Sequence, residues 1–424
     1  MAKNYKLIFL FATILIIYLF SGCSHSSKKE NISKNIKSIS INNINIILEN
    51  SGSMAGYLNG SKFKNNITGL IAELDKINSN NNKNLSVKNL NFYTFSDNMN
   101  LYQFSGNAFE FCDKINKKGL AIGKTSPTDD FIKILVDSSK KGNIDILITD
   151  LVIAKKDFNA DNLIQSKFNI IFNSAKNKNL GTLIYRFTSD FIGKYYPVKG
   201  ASFSINKPVD RPYFVFLIGP KDELNSLREY LNNSNIFKPE NEINFGLDLN
   251  PHNIEILNLS NRIGNWRFKD GVFYNSKQKN NNLKFTIAFN LTNYPSFLSQ
   301  PETLKKYISI QSPSLEVSSF NLFDNYSFRN KYHKKEKQKW LDNTHFLELN
   351  ISQINASSNQ LFIGLKKFPQ NWINDFSTDN DASLNNNNNL KTYMLNHIIN
   401  GIENAYHDFS SNDYYFKLNY SLNK

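Results

Sequence analysis

Between residues 39 and 233 strand-like and helix-like stretches alternate, and this alternation limits the possible folds more than any other feature of the chain. An Ile-rich run at 39–48 leads into the small-residue turn Glu49-Asn50-Ser51-Gly52-Ser53. A helix follows, with Phe63, Ile67, Leu70, Ile71, Leu74 and Ile77 at helical spacing on one face. Beyond an Asn-rich loop at 78–84, residues 87–95 suit a strand with which 101–104 can pair. A helix over 128–139 carries acids in its first turn. Next come an apolar run at 144–148 ending in Thr149-Asp150, a helix over 161–176, strands at 180–187 and 213–218, and a helix over 222–231. Near-continuous apolar strands between helices predict an α/β fold: a doubly wound, Rossmann-like, mostly parallel sheet covered on both faces.

With 424 residues the chain has room for two or three domains. Beyond Pro239 helical periodicity gives way to strand-like runs at 254–259, 272–274, 283–291, 307–310, 315–323, 346–351 and 361–365. These predict an all-β, sandwich-like domain over 240–384. The Asn run 385–389 reads as a linker. Leu390, Met394, Leu395, Ile398, Ile402 and Ala405 then predict a terminal helix over 390–406, within a 390–424 tail, that packs on one of the two domains.

In open α/β sheets ligands bind beyond the carboxyl ends of the strands, where strand order reverses. Three polar stretches are candidates for that place: Ser51-Gly52-Ser53 after Ile47-Leu48-Glu49, Gly123-Lys124-Thr125-Ser126-Pro127, and Thr149-Asp150. They supply hydroxyls and carboxylates without His or Cys, a set of hard oxygen donors that suits Mg²⁺ and, less strictly, Ca²⁺ or Mn²⁺. The arrangement resembles the von Willebrand factor A family. Its metal-ion-dependent adhesion site reads Asp-x-Ser-x-Ser, then a loop Thr, then an Asp ending an apolar strand. Glu49, Ser51, Ser53, Thr125 and Asp150 match those positions, and Met54 and Thr94-Phe95-Ser96-Asp97 add support.

The resemblance covers 39–233. It implies that Ser51 and Ser53 ligate the metal directly, Thr125 directly or through water, and Asp150 mostly through water. An open position would take an acidic residue of a protein partner. Glu49 departs from the pattern by one methylene, and so binds directly, shifts ion preference or abolishes binding. The competing reading is a degenerate, empty site in which Ser-Gly-Ser merely caps the first helix. Thr128 and Asp129 are alternatives to Thr125 in the loop, and Thr128 reads as a helix cap.

At the amino end, Lys3 and Lys6 precede an apolar run at 7–20 that ends in Phe20-Ser21-Gly22-Cys23. This resembles a bacterial lipobox. It implies a signal peptide over 1–22, lipidation of Cys23, and a flexible tether over 23–38. The run is shorter than the roughly 20 residues that span a bilayer, whereas multiple acyl chains suffice as an anchor. The expected place is the cell envelope, at the outer membrane where there is one. Cys112 is then the one remaining thiol, and no intramolecular disulfide is expected.

Lys and Arg exceed acids by 50 to 36, yet no nucleic-acid motif accompanies the charge, and nucleic acid is not expected as a partner. The basic run Lys331, His333, Lys334, Lys335, Lys337 and Lys339 reads as a solvated loop, with an anionic surface as the alternative. Arg211-Pro212 reads as structural. None of the six histidines pairs with a nucleophile, so no enzyme is expected. The chain therefore reads as a membrane-anchored lipoprotein that binds a protein partner through a divalent-metal site. A metal-independent scaffold subunit of an envelope assembly is the alternative.

Overall fold

Seven strands build the largest sheet: β1 (Ile39–Glu49), β2 (Leu85–Phe95), β3 (Leu101–Phe104), β4 (Asn143–Thr149), β5 (Leu180–Tyr195), β6 (Phe203–Pro220) and β7 (Asn241–Phe245). Their order is β3-β2-β1-β4-β6-β5-β7. The structure, a computed structural model, describes residues 39–79, 85–95, 100–120, 123, 128–153, 161–247, 252–257, 259, 262–279, 282–291, 300–331, 344–354, 358–366, 370–384, 388–406 and 414–423. Cys23, the leader, the tether, Thr125 and residues 332–339 of the basic run lie outside the described residues.

The apolar runs become strands buried on both faces, as in Tyr213 to Ile218 of β6. Alternate side chains feed two cores. On one face Ile46, Ile146 and Val215 meet α1 (Ser61–Ser79), α2 (Ala108–Asn116) and, later in the chain, the helix Lys221–Asn232. On the other, Ile47, Leu147 and Phe216 meet α3 (Thr128–Ser138) and α4 (Asp161–Asn177). The helix Lys221–Asn232 is α5.

The expectation of a mostly parallel sheet is corrected. β1 pairs in parallel with β2 and β4, but β2–β3, β4–β6, β6–β5 and β5–β7 are antiparallel, so the sheet is mixed. Length explains the difference. Only residues 196–202 separate β5 from β6, whereas a parallel crossover needs a dozen or more.

Register in the parallel pairs is fixed by two rows of polar side chains. Asn91 Nδ2 donates to Asn45 Oδ1 at 3.0 Å, and Asn45 Nδ2 donates to Asp145 Oδ1 at 2.7 Å. Asn89 Nδ2 donates to Asn43 Oδ1 at 3.0 Å, and Asn43 Nδ2 to Asn143 Oδ1 at 2.8 Å. A one-residue slip would turn both rows to the opposite face.

Past the large sheet, all seven strand-like runs form strands. They are β8 (His252–Leu257), β10 (Val272–Lys277), β11 (Leu283–Asn290), β12 (Ile308–Gln311), β13 (Leu315–Asp324), β14 (His345–Ile354) and β15 (Ser358–Lys366), with β9 (Asn265–Lys269) in addition. The chain continues through β16 (Ser377–Thr378), β17 (Thr392–Tyr393), α6 (Leu395–Tyr406) and β18 (Tyr414–Asn423). Two sheets result, β12-β15-β18-β10-β9 and β13-β14-β11-β8. One hydrophobic core joins them, drawing Phe273, Leu361 and Tyr420 from the first and Phe285, Leu347 and Leu349 from the second.

The terminal helix is shorter than expected. α6 begins at Leu395 because Thr392 and Tyr393 pair with Ser377 and Thr378. It packs on the large sheet's second face through Ile398, Ile399 and Ile402. Its Gly401 presses on α4 so closely that a Cβ there would lie 2.4 Å from the Gln165 carbonyl oxygen.

Candidate functional site

β1 and β4 run side by side, with Leu48 opposite Ile148, so their carboxyl ends deliver Glu49 and Thr149 to the same edge. Side-chain alternation sends Glu49 to the face of Ile47, where α3 begins, and Asp150 toward the face of Ile148. Glu49, Ser51, Ser53 and Asp150 are all buried, and so are Thr128 and Thr149.

Glu49 is enclosed by hydroxyls. Ser51 Oγ donates to its Oε1 at 2.8 Å, Thr149 Oγ1 donates to Oε2, and Thr128 Oγ1 approaches Oε2 at 3.4 Å. Thr128 opens α3, and a cap role alone does not describe its place. The extra methylene of Glu49 lets its carboxylate bridge Ser51 to Thr149.

Ser51 and Ser53 have their Oγ atoms 2.9 Å apart. Ser53 occupies the N-cap position of a 3-10 turn, Met54–Asn59, yet its side chain makes no capping bond. The amide of Met54 reaches only Ser51 Oγ, at 3.4 Å. α1 is capped instead from β5: Asp190 accepts from the amides of Ser61 and Lys62, both at 2.9 Å. The serines therefore face each other and the two carboxylates.

Asp150 ends β4 at a tight turn. Leu151, buried and at φ 57°, holds the left-handed conformation that a branched apolar residue rarely adopts. Its amide donates to Thr149 Oγ1 at 2.9 Å, and the Val152 amide donates to Asp150 Oδ1 at 3.2 Å. Burial pushes the Asp150 carboxyl above the usual carboxylate range, opposed by the Val152 amide, the Ser53 hydroxyl and the Arg211 charge.

Ser51 gives its proton to Glu49, so in the 2.9 Å bond between the serines Ser53 Oγ donates to Ser51 Oγ. The donors fit a hard cation: two hydroxyls and two carboxylates, with no His or Cys. Among the described residues there is no cluster of three or more His, Cys, Asp or Glu, so any cation here depends on hydroxyls.

Of the residues expected at the site, the structure brings together Glu49, Ser51, Ser53 and Asp150, while Thr125 lies outside the described residues. Sequence reasoning placed Thr149 at the candidate strand end without giving it a role, and took Arg211 as structural. Arg211 stands two residues before Tyr213 on β6, where Phe214 pairs with Thr149. It is buried, its charge lowers the pKa of both Asp150 and Tyr57, and the Tyr57 hydroxyl donates to the Pro212 carbonyl at 2.5 Å.

Elsewhere, Lys331 of the basic run is bonded to Glu348 at 3.1 Å. Among the described residues no helix is long and apolar enough to cross a membrane. Comparison of the chain with protein-family models, with curated proteins and with solved structures found no match.

Proposed function

We propose that the chain is a lipid-anchored binding protein of the cell envelope, whose A-type site holds a divalent cation and presents it to an acidic group of a protein partner. The observation that supports this reading is the bonded pair of buried serines, of which Ser53 makes no capping bond, with two buried carboxylates at the ends of adjacent parallel strands. Ser51, Ser53 and Asp150 would hold the ion, and Glu49 would orient Ser51 from behind. A bound Mg²⁺ would supply positive charge to attract a carboxylate. The residues themselves position oxygens and exclude water.

Anchoring rests on the Lys3–Cys23 leader pattern. Palmitate labelling of the intact chain, lost in Cys23→Ser, tests it. The metal reading is tested by calorimetric titration of Mg²⁺ and Mn²⁺ into residues 39–424, wild type against Ser51→Ala and Asp150→Ala. Saturable binding in the wild type, weakened at least about tenfold in either variant, is expected from the loss of one charge or ligand. No saturable binding in the wild type would leave the metal-free scaffold as the function.

A further inference from the structure

The surface is basic where the chain enters the large sheet. Ile39 opens β1 at the end of that strand opposite Glu49. Close by, the Asn42 amide donates to the Gly142 carbonyl at 2.7 Å, and the Asn42 carbonyl accepts from Asn89 Nδ2 at 3.3 Å, so β1 is tied both to the turn before β4 and to β2. Lysines flank both contacts: Lys140 and Lys141 precede Gly142, and Lys88 precedes Asn89. All three are exposed, and none forms an ion pair among the described residues. Lys178, also exposed, donates to the carbonyls of Val136 at 3.0 Å and Asp137 at 2.6 Å, which brings a fourth ammonium to the end of α3 beside that turn. The two acids nearest in the chain do not offset these charges. Asp137 is paired with Lys133, and Asp145 is buried against Asn45 and Ser139.

We infer that this basic edge is a docking surface for anionic phospholipid headgroups, on which the anchored protein rests with its candidate site turned away from the bilayer. The inference rests on the lipid-anchor reading above. Residues 24–38 separate Cys23 from Ile39, and a coil of 15 residues has a typical end-to-end distance of about 20 Å, so lipidation brings this edge to the bilayer first. Attraction between ammonium groups and an anionic bilayer acts within a Debye length, about 8 Å at physiological salt, and each lysine there tightens binding roughly fivefold. An acyl anchor and a basic patch are two signals that together make attachment stable. β1 runs 11 residues, about 35 Å, from this edge to Glu49, so docking here holds the carboxyl ends of β1 and β4 out toward a partner.

The test uses residues 39–424, which lack Cys23 and form one compact unit, with vesicles of phosphatidylcholine alone or mixed with phosphatidylglycerol at about 30%. Co-sedimentation is expected with the mixed vesicles only, weakening steeply as salt rises from about 50 to 200 mM. Lys140→Gln with Lys141→Gln is expected to bind roughly 20-fold more weakly than wild type. Lys305→Gln with Lys306→Gln removes the same charge from two exposed lysines of the helix Pro301–Tyr307, and is expected to stay within about twofold of wild type. Equal losses in the two double variants would assign the binding to overall charge, and no binding of the wild type to mixed vesicles would remove the docking surface; either result overturns the inference. Palmitate labelling of the intact chain decides the anchor separately, so either failure leaves that reading standing.

Discussion

Asn45 donates its side-chain amide to the Asp145 carboxylate across 2.7 Å, joining β1 to β4 four residues before Glu49 along β1. Burial raises the Asp145 pKa, while Asn45 and Ser139 pull it down. A carboxyl whose folded pKa is raised holds its proton more tightly when folded. Its contribution to stability is therefore greatest at low pH and falls as pH rises from the unfolded value of about 3.9 through the folded one. Asn45→Ala removes a partner of the charged form, so its cost should grow with pH. About 1–3 kcal/mol is expected at pH 7 and less at pH 4, read from urea unfolding at both.

Asp190 shows the opposite sign. Its carboxyl is partly desolvated, but the amides of Ser61 and Lys62 outweigh that effect and hold its pKa below the usual range. Stability from this tertiary cap is present above the unfolded pKa and is lost as pH falls through the folded one. Asp190→Ala should cost about 0.5–2 kcal/mol at pH 7, with the difference from wild type vanishing in acid.

Glu49→Asp tests the carboxylate that joins the ends of β1 and β4. The shorter side chain cannot keep both Ser51 and Thr149, so a buried hydroxyl loses its acceptor. In chelator the variant should unfold about 1–2 kcal/mol more easily than wild type, measured by denaturant titration. An equal midpoint would mean that the carboxylate does not bridge the two strands.

Cys112 is a half-buried thiol on α2, pushed up to about 11 by burial with help from the Asp75 charge. Only the thiolate is alkylated. At pH 8 iodoacetamide should modify the folded chain on the order of 100-fold more slowly than free cysteine, with urea restoring the ordinary rate.

How much of this was legible in the sequence depended on where side chains are apolar. The Ile-rich β1 and the run into β4 declared themselves, and with them Ser51, Ser53 and Asp150. The orientation of β5 and β6 was hidden. Their apolar parts end near Phe187 and begin near Tyr213, and the polar extensions between them look like a connection long enough for a crossover, although they pair as a hairpin. β18 was overlooked for a different reason: Phe416, Leu418, Tyr420 and Leu422 alternate as a strand should, but they follow a helix in what reads as a tail. Arg211 carried no local signal, because its partners lie on segments far away in the chain.

The position of β18 between β15 and β10 sets an order of assembly. A ribosome delivers the four parallel and antiparallel strands from β1 to β4 early, together with the helices that cover them. The five-stranded sheet lacks its middle strand until residues 414–423 emerge. Until then β15 and β10 expose unpaired edges that invite pairing with other chains. A nonsense codon anywhere after α6 should therefore yield a chain whose large sheet forms while its other half aggregates.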